Sequence, residues 1–319
     1  MTAPAPFFSV IIPVFNRAEG LRTAIASVLE QSCRDLEIVV VDDGSADDPR
    51  AVADSFADPR IRFFRQDNAG GGAARNTALE KARGRFIAPL DSDDVFLPGH
   101  LERMRALLEG TTATVGYARI LVDRGQDRII VKPPRAIAPD EDMATYLLCD
   151  RGFVPTITTV APRDAACRVR YHTDLRAAED TDFAIRLALD GCRFRMIAEP
   201  GAVWKDLADP NRASSDRNRA AFGAWLEAMK PRIPAIAWHG ARGWALAKMV
   251  ARDQPLRALY LYCNAVLRGC YRPSLAVVVF LQIFLGRGGY RLVADRAISW
   301  LQLGLKDRDR KSAATLERA

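Results

Sequence analysis

Asp91-Ser92-Asp93-Asp94 places three carboxylates within four residues, directly after an apolar run. Holding them together without a counter-charge is costly, because each makes the others harder to ionise. A divalent cation relieves that repulsion, and an all-oxygen site suits Mg²⁺ or Mn²⁺. Such a cation can bridge the two phosphates of a nucleotide sugar and offset charge on a leaving diphosphate. The plain alternative is an acidic loop or helix cap. Asp42-Asp43-Gly44-Ser45 follows another apolar run. It reads either as a turn with an N-cap or as a carboxylate that accepts the imide N–H of a uracil ring. Asn68-Ala-Gly-Gly-Gly-Ala-Ala-Arg75-Asn76 joins a glycine run to an arginine where a helix begins. Glycines allow close backbone approach and a helix N-terminus favours phosphate, although a flexible loop explains the same residues. Neither GxGxxG nor a P-loop is present. Glu179-Asp180 precedes a helical pattern and serves either as a cap or as the general base for an acceptor hydroxyl.

The elements that must position these groups alternate along the first 90 residues. Phe8–Ile12, Leu36–Val41, Ile61–Phe64 and Arg85–Leu90 read as strands, the first two as near-continuous apolar runs of the buried parallel kind. Leu21, Ile25, Val28 and Leu29 keep helical spacing, and residues 73–83 read as a helix. That alternation predicts a parallel sheet with right-handed crossovers. Each strand ends in a polar cluster: Asn16–Arg17, Asp42–Ser45, Asp67–Asn68 and Asp91–Asp94. Open parallel sheets bind ligands outside the carboxyl ends of their strands, where these clusters fall. Further on, Thr112–Val122 and Arg128–Val131 read as strands, and Asp182–Leu189 as a helix. Beyond about residue 215 the pattern is helical, broken at Pro231, Pro234, Pro255 and Pro273.

The chain has 319 residues, 49% hydrophobic and 27% charged, which describes a globular protein of either one domain of ~200–250 residues plus an appendage or two small domains. Six cysteines form no CxxC pair, so neither a zinc site nor a redox motif is indicated. The N-terminal apolar run lacks a basic flank and reads as a strand, not a signal peptide. Net charge is +7, unevenly spread: residues 201–319 carry 20 lysines and arginines against 9 acids. This basic, tryptophan-containing third fits an anionic membrane surface as well as a solvated basic face. Ser274–Gly286 is the most apolar stretch, too short to span a bilayer. It reads as a core helix, with an interfacial helix as the competitor. Trp225, Trp238 and Trp244 serve either as interface anchors or as core. His100, His172 and His239 are scattered and read as structural or exposed. The basic residues do not interleave as a nucleic-acid motif, so no nucleic-acid partner is expected.

Taken in order, SVIIPVFNR, EIVVVDDGS, NAGGGAARN, FIAPLDSDD and AEDTDFAIRLALDG closely resemble the family-two glycosyltransferases, over roughly residues 7–205. The resemblance implies a GT-A fold: a Rossmann-like, mostly parallel mixed sheet with flanking helices, followed by a mainly α-helical C-terminal region. It implies a transferase domain at 1–212, with a nucleotide-binding half at about 1–94 and an acceptor half at about 95–212. The helical region would then be 213–319. Pro13, Phe15 and Asp43 would hold the nucleobase, with Asn16 in the same nucleotide-binding group. Arg75 would face the base or the diphosphate, and Asp91 the ribose. Asp93 of the DXD motif would be the principal ligand of a Mg or Mn cation. Asp180 would be the catalytic base, with Glu179 binding the acceptor, and Arg186, Leu187 and Gly191 would continue that motif structurally. The implied reaction is inverting, metal-dependent transfer of one sugar from a nucleotide-diphosphate sugar, UDP being the favoured nucleotide. The acceptor is a glycan or lipid-linked hydroxyl of a surface polysaccharide. The implied location is cytoplasmic, peripheral on the inner face of the plasma membrane.

Two departures stand out. Many relatives carry a histidine-containing segment after the second acidic motif, whereas Val203–Asn211 has none, and Lys205 is the residue left to meet the diphosphate. The QxxRW motif of processive synthases is absent, which favours single-sugar transfer. A nucleotidyltransferase would show a glycine-rich N-terminal signature, which SVIIPVFNR is not. A non-catalytic degenerate transferase would have lost Asp93 or Asp180, and both are present.

Overall fold

The computed structural model describes residues 5–125, 129–150, 152–175, 178–205 and 219–285. Its strands are β1 (Phe8–Val14), β2 (Leu36–Asp42), β3 (Ile61–Arg65), β4 (Phe86–Pro89), β5 (Val95–Phe96), β6 (Thr114–Asp123), β7 (Ile129–Lys132), β8 (Ala161–Pro162) and β9 (Arg193–Lys205). The first helices are α1 (Ala18–Leu29), α2 (Pro49–Asp54), α3 (Gly71–Lys81) and α4 (His100–Leu108). α5 (Met143–Cys149), α6 (Arg163–Val169), α7 (Glu179–Leu189), α8 (Arg219–Met229) and α9 (Ala235–Ala241) follow.

One sheet has the order β3-β2-β1-β4-β8, parallel except for the antiparallel edge at β8. Its central strands are buried on both faces, and the pleat sorts their side chains into two layers. Val10, Ile12, Ile38 and Val40 join the layer that holds Leu21, Ile25 and Val28 of α1. Ile11, Val39 and Val41 join the layer that holds Ala74, Ala78 and Leu79 of α3. The four predicted strands and both predicted helices of this region are present, with ends shifted by a residue or two. The helices α2, α4, α5 and α6 were not anticipated from periodicity.

A second sheet has the order β5-β9-β6-β7. β9 was also not anticipated. It pairs parallel with β6, and the register slips opposite Ala118–Ile120, where Glu199-Pro200-Gly201 interrupts the strand. Proline and glycine break the strand pattern and are accommodated as a bulge. β5 pairs with the end of β9, which brings the residues after Asp94 beside Lys205.

The chain divides into two compact units between Trp238 and His239. α8 belongs with the first unit because the Trp225 indole N–H donates to Asp182 of α7 at 2.8 Å. Trp225 and Trp238 are buried, which makes both core residues. The described part of the second unit holds a π-helical turn (Arg242–Leu246) and three helices, α10 (Ala247–Val250), α11 (Pro255–Leu267) and α12 (Pro273–Phe284). Pro255 and Pro273 each sit at the first position of a helix, where a missing N–H costs nothing. Trp244 donates to Gln282 and packs edge-on against Tyr271. α12 buries Leu275, Ala276, Val279 and Ile283 but leaves Val277 and Phe280 exposed, so the predicted apolar stretch is core on one face only. Residues 286–319, including much of the basic C-terminal charge, lie outside the described residues.

Candidate active site

The carboxyl ends of β1, β2 and β4 and the start of α7 gather the acidic motifs. Asp91-Ser92-Asp93-Asp94 follows β4, and its three acids have different surroundings. Asp91 accepts from Arg75 Nη2 at 2.6 Å. Asp93 pairs with Arg17 Nη1 at 2.8 Å and is about one-third exposed. Asp94 is buried and accepts the backbone N–H of Lys205 at 3.0 Å. Burial, with repulsion from Asp91 and Asp93, pushes the Asp94 carboxyl up to about 8. Asp94 thus braces β5 and β9 beneath the motif.

Arg75 joins the two acidic motifs. From the first turn of α3 it holds Asp91 with Nη2 and Glu179 Oε2 with Nη1 at 2.8 Å. Its guanidinium lies 5.5 Å from the centre of the Tyr171 ring. Burial opposes its charge, but Asp91 and Glu179 outweigh that cost and hold it protonated. Its buried Nε–H has no hydrogen-bond partner among the described residues.

The glycine run explains how α3 comes so close. A Cβ on Gly72 would lie 2.6 Å from the carbonyl oxygen of His172 and 3.1 Å from Glu179 Oε1. Only glycine lets the helix start press against the segment leading into α7. Asn76 locks that contact: its Nδ2 donates to the Tyr171 carbonyl at 2.8 Å and its Oδ1 accepts the Tyr171 N–H at 2.7 Å. Tyr171 in turn stacks on Phe183 of α7 at 4.1 Å.

Glu179 and Asp180 open α7 after Ala178, which has a left-handed φ of 67°. Burial raises both carboxyls, with Asp91 and Asp180 adding repulsion at Glu179. Asp180 Oδ1 accepts the Thr181 N–H at 2.7 Å. Farther along α7, Arg186 pairs with Asp182 and donates to the carbonyls of Val169 and Arg170, a structural role.

At the ends of β1 and β2, the predicted nucleotide residues behave unequally. Phe15 is 48% exposed, an open ring at the strand end, and Pro13 is partly exposed. Asn16 braces the neighbouring loop: its N–H donates to Ser45 Oγ and its Oδ1 accepts the Ala46 N–H. Asp43 is buried and takes Gln66 Nε2 and the N–H groups of Ala69 and Gly70 at 2.7–2.9 Å. It anchors the glycine loop directly. Asp42 is buried and pairs with Arg65 at 2.7 Å.

Arg17 and Gln66 are contributors that the sequence motifs did not single out, and Asp94 was read only as one acid of the DSDD cluster. Arg17 was visible only as half of a polar strand end. Among the described residues, no three or more His, Cys, Asp or Glu side chains converge as a ready-made metal site. A Mg²⁺ or Mn²⁺ ion needs only one or two carboxylates when waters and substrate phosphates complete its shell. Asp93, about one-third exposed, could serve as such a ligand if the cation displaced or shared its pairing with Arg17.

A profile of glycosyl transferase family 2 matches residues 9–172, spanning the sheet, the glycine loop and the DSDD motif. The chain belongs to glycosyl transferase family 2. The amylovoran biosynthesis glycosyltransferase AmsB of Erwinia amylovora is 27% identical to this family 2 chain over 236 residues, 71% of this chain and 78% of AmsB. Other curated relatives are matched over 17–36% of their length. Among solved structures, S. aureus TarS 1-349 in complex with UDP-GlcNAc superposes with a TM-score of 0.62 at 16% identity, over 86% of each chain. The mannosyltransferase PcManGT of Pyrobaculum calidifontis, in complex with GDP-Man and Mn2+, gives 0.55 at 19%, over 85% of this chain and 82% of that one. These likenesses establish the GT-A fold, with its helical C-terminal region. No helix among the described residues is long and apolar enough to cross a membrane.

Proposed function

We propose that this family 2 chain moves one sugar, with inversion, from a nucleotide-diphosphate sugar to a hydroxyl of a glycan or lipid-linked acceptor. The observation that carries this reading is Arg75, which binds Asp91 after β4 and Glu179 at the start of α7. Donor-side and acceptor-side acids thereby share one charge cluster at the ligand end of a parallel sheet. The UDP-GlcNAc in the TarS complex supports a nucleotide-sugar donor with UDP the favoured nucleotide, and the name of AmsB, an amylovoran biosynthesis glycosyltransferase, supports a role in polysaccharide synthesis. The Mn2+ in the PcManGT complex supports a divalent cation.

In this reading Phe15 and Pro13 face the nucleobase, and Asp43 shapes the loop beside it. Asp91, steadied by Arg75, faces the ribose. Asp93 holds the cation, and Lys205, alongside Asp94, supplies positive charge to the diphosphate. A cation at Asp93 supplies neutralisation of the charge that develops on the leaving diphosphate. Glu179, fixed by Arg75, orients the acceptor. Asp180 takes the proton of the acceptor hydroxyl, and the oxygen attacks the anomeric carbon opposite the departing diphosphate. A single displacement inverts that centre. The transferase domain is assigned to 1–212 on the motifs, with α8 as a buttress. The location is the cytoplasmic face of the membrane, with peripheral attachment through the basic C-terminal region.

A panel of nucleotide sugars with and without Mn²⁺ tests this. At least one donor is expected to raise the melting temperature in a Mn²⁺-dependent way, and Asp93→Asn is expected to remove that dependence. If no nucleotide sugar shifts the melting temperature with metal present, the reading fails.

A further inference from the structure

The apolar residues of α11 form two faces. Ala258, Leu261 and Ala265 are buried within the second unit. Leu256, Leu259, Tyr260, Cys263 and Leu267 recur at spacings of three, four and seven or more residues, which places them on one stripe of the helix. All five are exposed, Leu256 by 82%, Tyr260 by 65% and Leu267 by 88%. The water-facing side of a surface helix ordinarily carries charged and polar residues. α12 adds Val277 and Phe280, also exposed. Clustered exposure of this kind marks a surface that binds something.

Charge identifies the occupant. Residues 239–285 contain Arg242, Lys248, Arg252, Arg257, Arg268 and Arg272, against Asp253 as the one acid. Arg257 and Arg268 are exposed and lie roughly 100–120° around α11 from the stripe, along its flank. Arg257 donates to the neutral Gln254 Oε1 at 2.9 Å, and Arg268 to the neutral Asn264 Oδ1 at 3.1 Å. Neither bond neutralises the guanidinium charge. An apolar stripe with a basic margin is complementary to an anionic lipid surface, whose phosphates lie just above an acyl boundary.

We infer that α11 is a membrane-docking helix, its Leu256–Leu267 stripe entering the headgroup boundary of an anionic bilayer while Arg257 and Arg268 meet lipid phosphates. The helix lies in the interface plane, since no described helix can span the bilayer. This rests on the peripheral attachment proposed for the region and is independent of the donor chemistry.

The full chain is sedimented with phosphatidylcholine vesicles, with and without a quarter phosphatidylglycerol, at low and high salt. It is expected to bind the anionic vesicles, more weakly at high salt. Leu256→Glu with Leu267→Glu is expected to lower that binding roughly tenfold or more, because both the apolar term and the charge match are lost. Both positions are exposed, so circular dichroism melts should match wild type. Unchanged binding by this pair, or no binding of wild type to anionic vesicles, overturns the inference. So does a wild-type dimer in light scattering that the same pair dissociates, which assigns the stripe to a second copy. Vesicle binding that persists while no nucleotide sugar binds leaves the docking face standing and sinks the transferase reading.

Discussion

Asp180 lies in the first turn of α7 with its carboxyl raised by burial, and the direction of that shift fixes how activity should depend on pH. A general base works only when deprotonated, so transfer falls as pH drops through the raised value. The acidic limb of kcat/KM is therefore expected above the ordinary aspartate value of about 3.9. Asp180→Asn should cost about 100-fold or more in kcat while leaving the fold and Mn²⁺-dependent donor binding intact. A folded Asn variant with near wild-type turnover would remove Asp180 from the mechanism. At this scale the sequence was partly legible. The carboxylates stood out because clustered acids need a counter-charge. Which partner holds each acid was not legible, because those partners lie far along the chain. Asp43 is held by the loop it anchors, Asp94 is pinned by a strand, and Asp93 is held by Arg17.

α4 carries a second titratable group that is unrelated to transfer. His100 is buried against the Phe96 ring, with neither ring nitrogen hydrogen-bonded among the described residues, and burial, then Arg103, lowers it to about 3. Its ordinary value is 6.5. A histidine held neutral below that value contributes stability that is complete above pH 6.5 and lost as pH falls towards 3. The unfolded chain binds the extra proton. Urea denaturation between neutral pH and pH 4 should show a stability slope of up to about 1.4 kcal/mol per pH unit from this group. His100→Leu should flatten that slope, and identical slopes would refute the assignment. α4 itself was not legible as an element. β9 was hidden for a different reason: its pattern is cut by Glu199-Pro200-Gly201, and only the neighbouring β6 absorbs the cut as a register slip. β1 and β2 were legible because burial on both faces writes an unbroken apolar run.

The molecule as a whole comprises two compact units with different charge and different surfaces. The excess of basic residues after position 200 was legible from composition alone, but the packing of α8 was not. α8 reads like the helices after it, and one indole hydrogen bond ties it to α7. If the units fold separately, calorimetry of the full chain should resolve two transitions, and a nucleotide sugar with Mn²⁺ should raise only the one belonging to the first unit. A single transition that shifts as a whole would show instead that the units melt together.

Arg75 gives the transferase unit a property that neither acidic motif has alone. It ties together chain segments 104 residues apart, with one guanidinium shared between two acids. Losing Asp91 or Glu179 singly leaves the other to compensate the buried cation. Losing both leaves it bare, which is the costly case. The penalties are therefore non-additive, the second loss exceeding the first, with a coupling on the order of 0.5–3 kcal/mol in a double-mutant cycle. In the history of such a chain, a change at one motif alters which changes the other can tolerate, although the two never touch in sequence.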